Sequence, residues 1–218
     1  MLFDIDGVIV DSELLHCLTF NELLAPLGIR ISEAEWCRRF VGKGSGSIMR
    51  TLFAEHGIQE DPVGWADRRR QLYVQRIAQG ALHAIPGFLD LYASVRETVL
   101  KVAFVTSASP VTIGPTLRML GLEGRQPVID ITQVHAPKPD PESYILAAQV
   151  VGVPPARCLV FEDSPTGVAA AKAAKMRCVA LTTTNPAADL HGADLILPDF
   201  RGWTIQALLA RLRLPSNS

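Results

Sequence analysis

Short apolar runs, each ending in polar or turn-forming residues, recur along most of this chain. Apolar residues at consecutive positions are typical of strands that are buried on both faces. Helical patterns follow several of these runs, at Val111–Leu120, Glu142–Val151 and Pro165–Ala174. The alternation predicts an α/β fold, a doubly wound parallel sheet with helices on both faces. The predicted strands are Leu2–Asp4, Val102–Thr106, Val128–Thr132, Cys158–Phe161, Cys178–Leu181 and Leu195–Leu197.

One long segment breaks this alternation. From Glu13 to Gln79 the sequence shows helical signals and no convincing strand. Phe20 and the leucines at positions 23, 24 and 27 follow the i, i+3, i+4, i+7 spacing of a helix that is buried on one face. The pattern predicts two domains: a helical domain at residues 13–81, inserted after the first strand, and an α/β domain made of residues 1–12 and 82–218.

Polar residues that can carry chemistry stand at the ends of four predicted strands. In open parallel sheets, ligands bind outside the carboxyl ends of the strands, so these residues are expected to meet. Crowded carboxylates repel one another unless a cation neutralises them, and Mg²⁺ takes one or two carboxylates together with substrate phosphate. Each of these residues alone has an ordinary structural explanation. Such residues at the ends of four strands of the same predicted sheet are not explained in that way. In strand order these residues are Asp4 and Asp6, Thr106 and Ser107, Lys138, and Glu162 and Asp163.

The composition of the chain limits the partners and the cellular location that we expect. The formal net charge of −1 provides no basic stripe for nucleic acid, and no apolar run reaches the 18 residues of a membrane span. The four cysteines form no C-x-x-C pair, which favours reduced thiols. No signal-like segment precedes the first aspartate. We therefore expect a cytoplasmic monomer that acts on a small molecule, without nucleic-acid or membrane partners.

Together these motifs resemble those of the haloacid dehalogenase superfamily. The helical insert is similar to its type-1 cap, and we call residues 13–81 the cap. Within the superfamily the chain resembles the branch of β-phosphoglucomutases and sugar-phosphate phosphatases. The motifs that carry the resemblance are Asp4-Ile5-Asp6-Gly7, Thr106, Lys138-Pro139-Asp140-Pro141 and Glu162-Asp163-Ser164-Pro165-Thr166-Gly167.

The resemblance implies a role for each motif residue. Asp4 is the nucleophile that forms an aspartyl phosphate, and Asp6 is the general acid and then the base. Mg²⁺ is held by the side chains of Asp4 and Asp163 and by the carbonyl of Asp6, with Glu162 beside it. The phosphoryl oxygens are held by Thr106, by the backbone of Ser107 and by Lys138, whose bond to Pro139 is expected to be cis.

Selectivity is expected to come from the cap. The leading interpretation is a Mg²⁺-dependent phosphatase that acts on a small phosphomonoester, a sugar or polyol phosphate. One alternative is a phosphomutase of the β-phosphoglucomutase type, which would need a second phosphate site; similar mutases carry arginine where this chain has Ser45. The other alternative is a non-catalytic binding protein, which usually lacks one of the acids. The candidate cap residues are His16, Gly42, Lys43, Ser45, Ser47 and Arg69.

The chain departs from its relatives at two places. Only three residues precede Asp4, so either the first strand is short or the natural chain starts earlier. Lys175 stands where relatives usually place glycine, at the end of a helix that must turn into the strand at Cys178 within two residues. We expect Lys175 to adopt a left-handed backbone conformation, which is costly for a residue other than glycine.

Overall fold

The predicted α/β fold is confirmed by the computed structural model, which describes residues 1–41 and 43–214. Its strands are β1 (Leu2–Asp4), β2 (Val10–Asp11), β3 (His83–Ala84), β4 (Ala103–Val105), β5 (Val128–Ile129), β6 (Leu159–Glu162), β7 (Arg177–Leu181) and β8 (Leu195–Leu197). Its helices are α1 (Glu13–Leu24), α2 (Glu33–Arg39), α3 (Ser45–His56), α4 (Pro62–Ala78), α5 (Phe88–Arg96), α6 (Pro110–Met119), α7 (Glu142–Val150), α8 (Pro165–Ala173) and α9 (Ile205–Arg211). Among the described residues, no helix is long and apolar enough to cross a membrane.

Six parallel strands form the main sheet, in the order β5-β4-β1-β6-β7-β8. Strand β1 lies in the middle and is buried on both faces. Phe3 points to one face, where its ring stacks on Phe161 with centroids 4.4 Å apart, and Leu2 packs into the apolar cluster on the other face. This alternation explains why β1 reads as a continuous apolar run. The first strand of the chain therefore delivers Asp4 to the centre of the sheet's carboxyl edge.

The third predicted strand, Val128–Thr132, is wrong in its second half. Strand β5 ends at Ile129, and a short 3₁₀ helix occupies Ile131–Gln133. Asp130 caps this turn because its side chain accepts a hydrogen bond from the Thr132 N–H at 2.8 Å, while the Gln133 side chain accepts one from the Asp130 N–H at 2.8 Å. This reciprocal capping outweighs the β propensity of Ile131 and Thr132.

The segment after β1 is helical, as predicted: α1 to α4 occupy it, and the described residues from 13 to 79 contain no strand. An apolar cluster that includes Phe20, Trp36 and Phe53 fills its centre. The chain enters the predicted helical domain after β2 and leaves it before β3. These two strands pair with each other as an antiparallel ribbon. The far end of α4 packs elsewhere: Tyr73 and Ile77 belong to the apolar cluster of the α/β domain.

Lys175 has the predicted left-handed conformation, with φ of +60°. It follows α8, and the hydrogen bonds around it are those of a Schellman motif. The Met176 N–H donates to the Ala171 carbonyl at 3.0 Å, and the Lys175 N–H donates to the Lys172 carbonyl at 2.9 Å. This geometry turns the chain directly from α8 into β7.

Replacing Lys175 with glycine is expected to raise the free energy of unfolding by about 1 kcal/mol. Relief of the left-handed strain should outweigh the extra freedom that glycine gives the unfolded chain. Chemical denaturation measures the change. Lys175→Ala is the matched control, because it removes the same exposed side chain and keeps the β-carbon that causes the strain. A glycine variant no more stable than the alanine variant would contradict the prediction.

Candidate active site

Strand β1 ends between β4 and β6, so the chemistry-bearing residues after these three strands converge. A tight turn follows Asp4: the Gly7 N–H donates to the Val10 carbonyl at 2.8 Å, and Gly7 has φ of +75°. A β-carbon added to Gly7 would lie 1.9 Å from Oδ2 of Asp163. Glycine is therefore required here twice, once for its backbone conformation and once because the turn touches the neighbouring carboxylate.

Lys138 links two of the strand ends. Its buried Nζ donates to Oδ1 of Asp4 and, at 2.6 Å, to Oε1 of Glu162. The Lys138–Pro139 bond is cis, as predicted. The ammonium also lies 4.9 Å from the centre of the Tyr144 ring, a cation–π contact. Lys138, for which the sequence alone indicated only a loop position, is therefore the cation at the centre of the cleft at the strand ends. We call this cleft the crevice.

Glu162 is fully engaged by donors. Oε1 accepts hydrogen bonds from Lys138 and, at 2.7 Å, from the Tyr144 hydroxyl. Oε2 accepts from the N–H groups of Asp163 at 3.0 Å and Ser164 at 3.1 Å, and from the Ser164 hydroxyl at 3.0 Å. Burial alone would raise its pKa, but Lys138 and the hydrogen bonds hold the pKa of Glu162 below its usual value. Glu162 therefore orients its neighbours and has little capacity left for a direct metal bond.

The other carboxylates have fewer partners. Burial raises the pKa of Asp4, although the Lys138 ammonium opposes the shift, and burial raises the pKa of Asp163 well above its usual value. Burial also raises the pKa of Asp6, although the positive charges of Lys138 and Arg69 oppose this shift. The Ser12 hydroxyl lies near Asp6 but makes no hydrogen bond of ordinary geometry with a described residue. The crevice thus carries an excess of negative charge.

The donor set fits Mg²⁺. Across residues 1–41 and 43–214, no group of three or more histidine, cysteine, aspartate or glutamate side chains converges to hold a metal ion. The available donors at the strand ends are the carboxylates of Asp4 and Asp163 and main-chain carbonyls near them. Mg²⁺ binds through one or two carboxylates and fills its remaining positions with water and phosphate oxygens, so these residues match its preference better than that of zinc.

The end of β4 supplies donors for an anion. Thr106 is buried and accepts a hydrogen bond at Oγ1 from the Ala108 N–H at 2.9 Å. The next residue, Ser107, is exposed, and its main-chain N–H has no acceptor among the described residues. Helix α6 begins just beyond, with Pro110 in its first turn. A free amide and a hydroxyl before a helix suit the oxygens of a phosphoryl group.

On the cap side, His16, Ser45 and Arg69 come together. The buried Arg69 guanidinium contacts Nδ1 of His16, donates to Oγ of Ser45 at 3.2 Å and donates to Oγ1 of Thr19 at 3.1 Å. Its Cζ lies 4.7 Å from the centre of the Tyr73 ring. Burial lowers the pKa of Arg69 to about 10, and no carboxylate among the described residues forms an ion pair with it. The cap thus presents a buried cation without an anionic partner.

His16 reaches the crevice itself. Its ring stacks on Tyr73 with centroids 4.4 Å apart, and both rings line a cavity of about 30 Å³ beside Asp6. Burial, and then the Arg69 charge, lower the pKa of His16 well below its usual value, so the imidazole is neutral near pH 7. A neutral imidazole can donate or accept a hydrogen bond with a substrate hydroxyl.

The remaining cap candidates do not join this group. Lys43 and Ser47 are exposed, and none of their contacts within the described residues reaches the carboxylates at the strand ends. Gly42 lies outside the described residues. Sequence spacing alone did not distinguish these residues from Ser45, which faces Arg69.

Sequence reasoning missed several residues around the site. Tyr144 bonds Glu162 from α7, and Tyr73 packs against His16 from α4. Thr183 and Asn185, in the loop after β7, donate to the main chain near Asp4 and at Asp163. The polar run Thr182-Thr183-Thr184-Asn185 was visible at a fifth strand end, and applying the strand-end rule there would have found it.

The chain is similar in sequence to a known family and to curated proteins. Residues 1–181 match the sequence model of the haloacid dehalogenase-like hydrolases. The chain is 31% identical over 208 residues to validoxylamine A 7′-phosphate phosphatase of Streptomyces hygroscopicus subsp. limoneus, covering 91% of this chain and 92% of the relative. It is 29% identical over 215 residues to Protein SUPPRESSOR OF QUENCHING 1, chloroplastic, of Arabidopsis thaliana, and spans only 20% of that relative's length.

A solved structure also superposes on the whole fold. The crystal structure of CbbY from Rhodobacter sphaeroides in complex with phosphate matches with a TM-score of 0.80 at 27% identity. The match covers 95% of this chain and 97% of that chain. The similarity therefore includes both the sheet domain and the cap.

Replacing Gly167 with alanine is expected to damage the site. The new β-carbon would lie 1.8 Å from Oε1 of Glu162, a carboxylate that its five donors hold in place. We expect a loss of about 1–3 kcal/mol in the free energy of unfolding and a lower turnover of phosphomonoester. Denaturation and steady-state kinetics measure the two effects.

Gly114→Ala is the matched control for this substitution. Gly114 lies inside helix α6, and an added β-carbon meets nothing within 4 Å. Alanine removes the backbone freedom of glycine but places a β-carbon before Pro115, which disfavours the helical conformation. The two effects oppose each other, so the free energy of unfolding should change by less than about 1 kcal/mol, without altered turnover. Equal effects of the two substitutions would show that the close approach of Gly167 to Glu162 is unimportant.

Proposed function

This chain belongs to the haloacid dehalogenase-like hydrolase family, and we propose that it is a Mg²⁺-dependent phosphatase that hydrolyses a small sugar or polyol phosphate through an aspartyl phosphate. One observation carries the proposal: the buried Lys138 ammonium joins Asp4 and Glu162 at adjacent strand ends, with Asp6 one turn away. Phosphoryl transfer depends mainly on positioning and charge neutralisation, and this arrangement supplies both.

Asp4 is proposed as the nucleophile. Lys138 engages one of its carboxylate oxygens and so fixes the rotation of the group. A carboxylate oxygen of Asp4 attacks phosphorus as the bond from phosphorus to the leaving oxygen breaks. Water then attacks the same phosphorus atom, which restores the Asp4 carboxylate and releases inorganic phosphate.

Asp6 is proposed to move the proton in both steps. Because burial raises its pKa, Asp6 holds a proton more readily than an exposed aspartate does. It gives this proton to the leaving oxygen of the alcohol in the first step and takes one from the attacking water in the second. Asp6 lies beside the cavity that His16 and Tyr73 line, which supports a role for it on the side of the leaving group.

Mg²⁺ would be held by the carboxylates of Asp4 and Asp163 and by the main-chain carbonyl of Asp6. When bound, it neutralises charge on the phosphoryl oxygens and on the carboxylates around them. Glu162 supports this site through Lys138 and through the N–H of Asp163. Thr106 and the free amide of Ser107 bind the remaining phosphoryl oxygens.

The cap residues are proposed to bind the leaving group. Arg69 and the neutral His16 offer hydrogen-bond donors beside Asp6, and Ser45 lies against Arg69. Hydroxyl groups of a sugar or polyol are suitable partners for this set. Lys43 and Gly42 remain candidates from the sequence for further contacts with the leaving group.

Two other functions are less well supported. A phosphomutase would need a cation at the cap position where similar mutases carry arginine, and this chain has Ser45 there. The cation that the cap does contain, Arg69, is buried and already contacts Thr19, Ser45 and His16. A non-catalytic protein would not need the full set of acids, yet Asp4, Asp6, Glu162 and Asp163 are all present. The phosphatase is therefore the better proposal.

We expect the purified protein to release phosphate from a small phosphomonoester with Mg²⁺ and not with EDTA. Asp4→Asn should lower kcat at least a thousandfold, roughly, because it removes the nucleophile. Asp90→Asn is the matched control, since Asp90 is an exposed residue of α5 outside the site. Near-normal turnover of the Asp4→Asn protein would rule out the aspartyl-phosphate mechanism.

We also expect hydrolysis to dominate over isomerisation. The protein is incubated with β-glucose 1-phosphate and a bisphosphate primer, and NMR follows the products, with the Asp4→Asn protein as the blank. Free phosphate should appear faster than glucose 6-phosphate, because Ser45 cannot form the paired charge-assisted hydrogen bonds that arginine forms with a second phosphate, and Arg69 already contacts Thr19, Ser45 and His16. Faster accumulation of glucose 6-phosphate would favour the mutase instead.

A further inference from the structure

The loop that follows β7 lies against two other strand-end turns. It starts beyond Leu181 with the sequence Thr182-Thr183-Thr184-Asn185 and is anchored at its base, where the Thr182 N–H donates to the Leu197 carbonyl at 2.9 Å. Neither the motifs discussed above nor the proposed chemistry uses this loop. Two of its side chains, those of Thr183 and Asn185, nevertheless form hydrogen bonds with turns at the strand ends.

Each of two loop side chains holds the main chain of a different turn. Oγ1 of Thr183 donates to the carbonyl of Gly7 at 2.6 Å, at the turn that carries Asp4 and Asp6. Nδ2 of Asn185 donates to the carbonyl of Asp163 at 3.0 Å. One short loop thus connects the two turns that supply the proposed Mg²⁺ donors.

The main chain of Asp163 is consequently held on both sides. Its N–H donates to Oε2 of Glu162 at 3.0 Å, and its carbonyl accepts from Asn185. The Asp163 carboxylate also lies in close contact with Gly7, in the turn that follows Asp4. A β-carbon on Gly7 would lie 1.9 Å from Asp163 Oδ2 and 2.6 Å from Thr184 Oγ1. The distance between the turns is therefore set by direct contacts.

We propose that Thr183 and Asn185 are positioning residues that set the distance between the Asp4–Gly7 turn and the Asp163 carboxylate, and thereby the affinity for Mg²⁺. The inference rests on the proposed function, because it assigns the metal donors to these two turns. Mg²⁺ demands a near-octahedral arrangement with ligands at about 2.1 Å, so a small shift between the turns weakens binding. Residues behind the ligands commonly control metal affinity in this way.

The test uses the metal alone. Thr183→Val and Asn185→Leu remove the two donors at similar side-chain size, singly and together. Mg²⁺ is titrated by calorimetry into each protein without substrate, well below the melting temperature of that protein. We expect the double variant to bind Mg²⁺ about tenfold more weakly than the unsubstituted protein.

Two control variants separate positioning from loss of structure. Thr183→Ser keeps the hydroxyl and should restore the original Mg²⁺ affinity. Thr182→Val changes a neighbouring side chain that makes no hydrogen bond within the described residues, and it should leave the affinity unchanged. In kinetics, the double variant should need more Mg²⁺ for half-maximal activity, with an unchanged KM for the phosphomonoester at saturating Mg²⁺.

The outcomes are distinguishable. An unchanged Mg²⁺ affinity in the double variant, with the unsubstituted protein binding Mg²⁺, would overturn the positioning role and leave the proposed function intact. A lower melting temperature alone, without weaker Mg²⁺ binding, would overturn it equally. An unsubstituted protein that binds no Mg²⁺ would overturn both proposals.

Discussion

The buried Lys138 ammonium between Asp4 and Glu162 is the interaction on which the rest of the site depends. Both carboxylates and the ammonium are largely withdrawn from water, so each is costly unless the others are present. Removing one member of a buried ion pair typically costs about 3–5 kcal/mol, because the remaining charge is left without a partner. The pairing of β1 with β6 puts Asp4 and Glu162 at adjacent strand ends, and Lys138 reaches both acids from the segment that follows β5.

Local backbone features keep this charged group compact. Gly7 lets the first turn touch Asp163, and Gly167 leaves room for the Glu162 carboxylate above the start of α8. Tyr144, Asp163 and Ser164, the residue that caps α8, then complete the hydrogen bonding of Glu162. A buried polar network is favourable only when all its members are satisfied, so these small residues matter as much as the acids.

Sequence patterns predicted the strands, the helical insert and the residues at the strand ends, because these follow from local periodicity and from the rule on parallel sheets. They failed at β5, where the Asp130 side chain and its neighbours form a local cap. They also missed Tyr144 and Thr183, whose partners lie 18 and 176 residues away in the chain. Whether Lys43 or Arg69 faces the crevice depends on how the cap helices pack. The spacing of residues along the sequence does not determine this packing.

The two halves of the crevice carry opposite excess charge. On the sheet side, Asp4 and Asp163 have raised pKa values because burial leaves them with too few cationic partners. On the cap side, Arg69 is buried between aromatic rings and is paired only with neutral groups. The proposed Mg²⁺ would satisfy the first deficit, and the leaving group of the proposed substrate would bring hydroxyl oxygens to the second. On this proposal, substrate and metal would complete the electrostatic pairing that the protein alone leaves open.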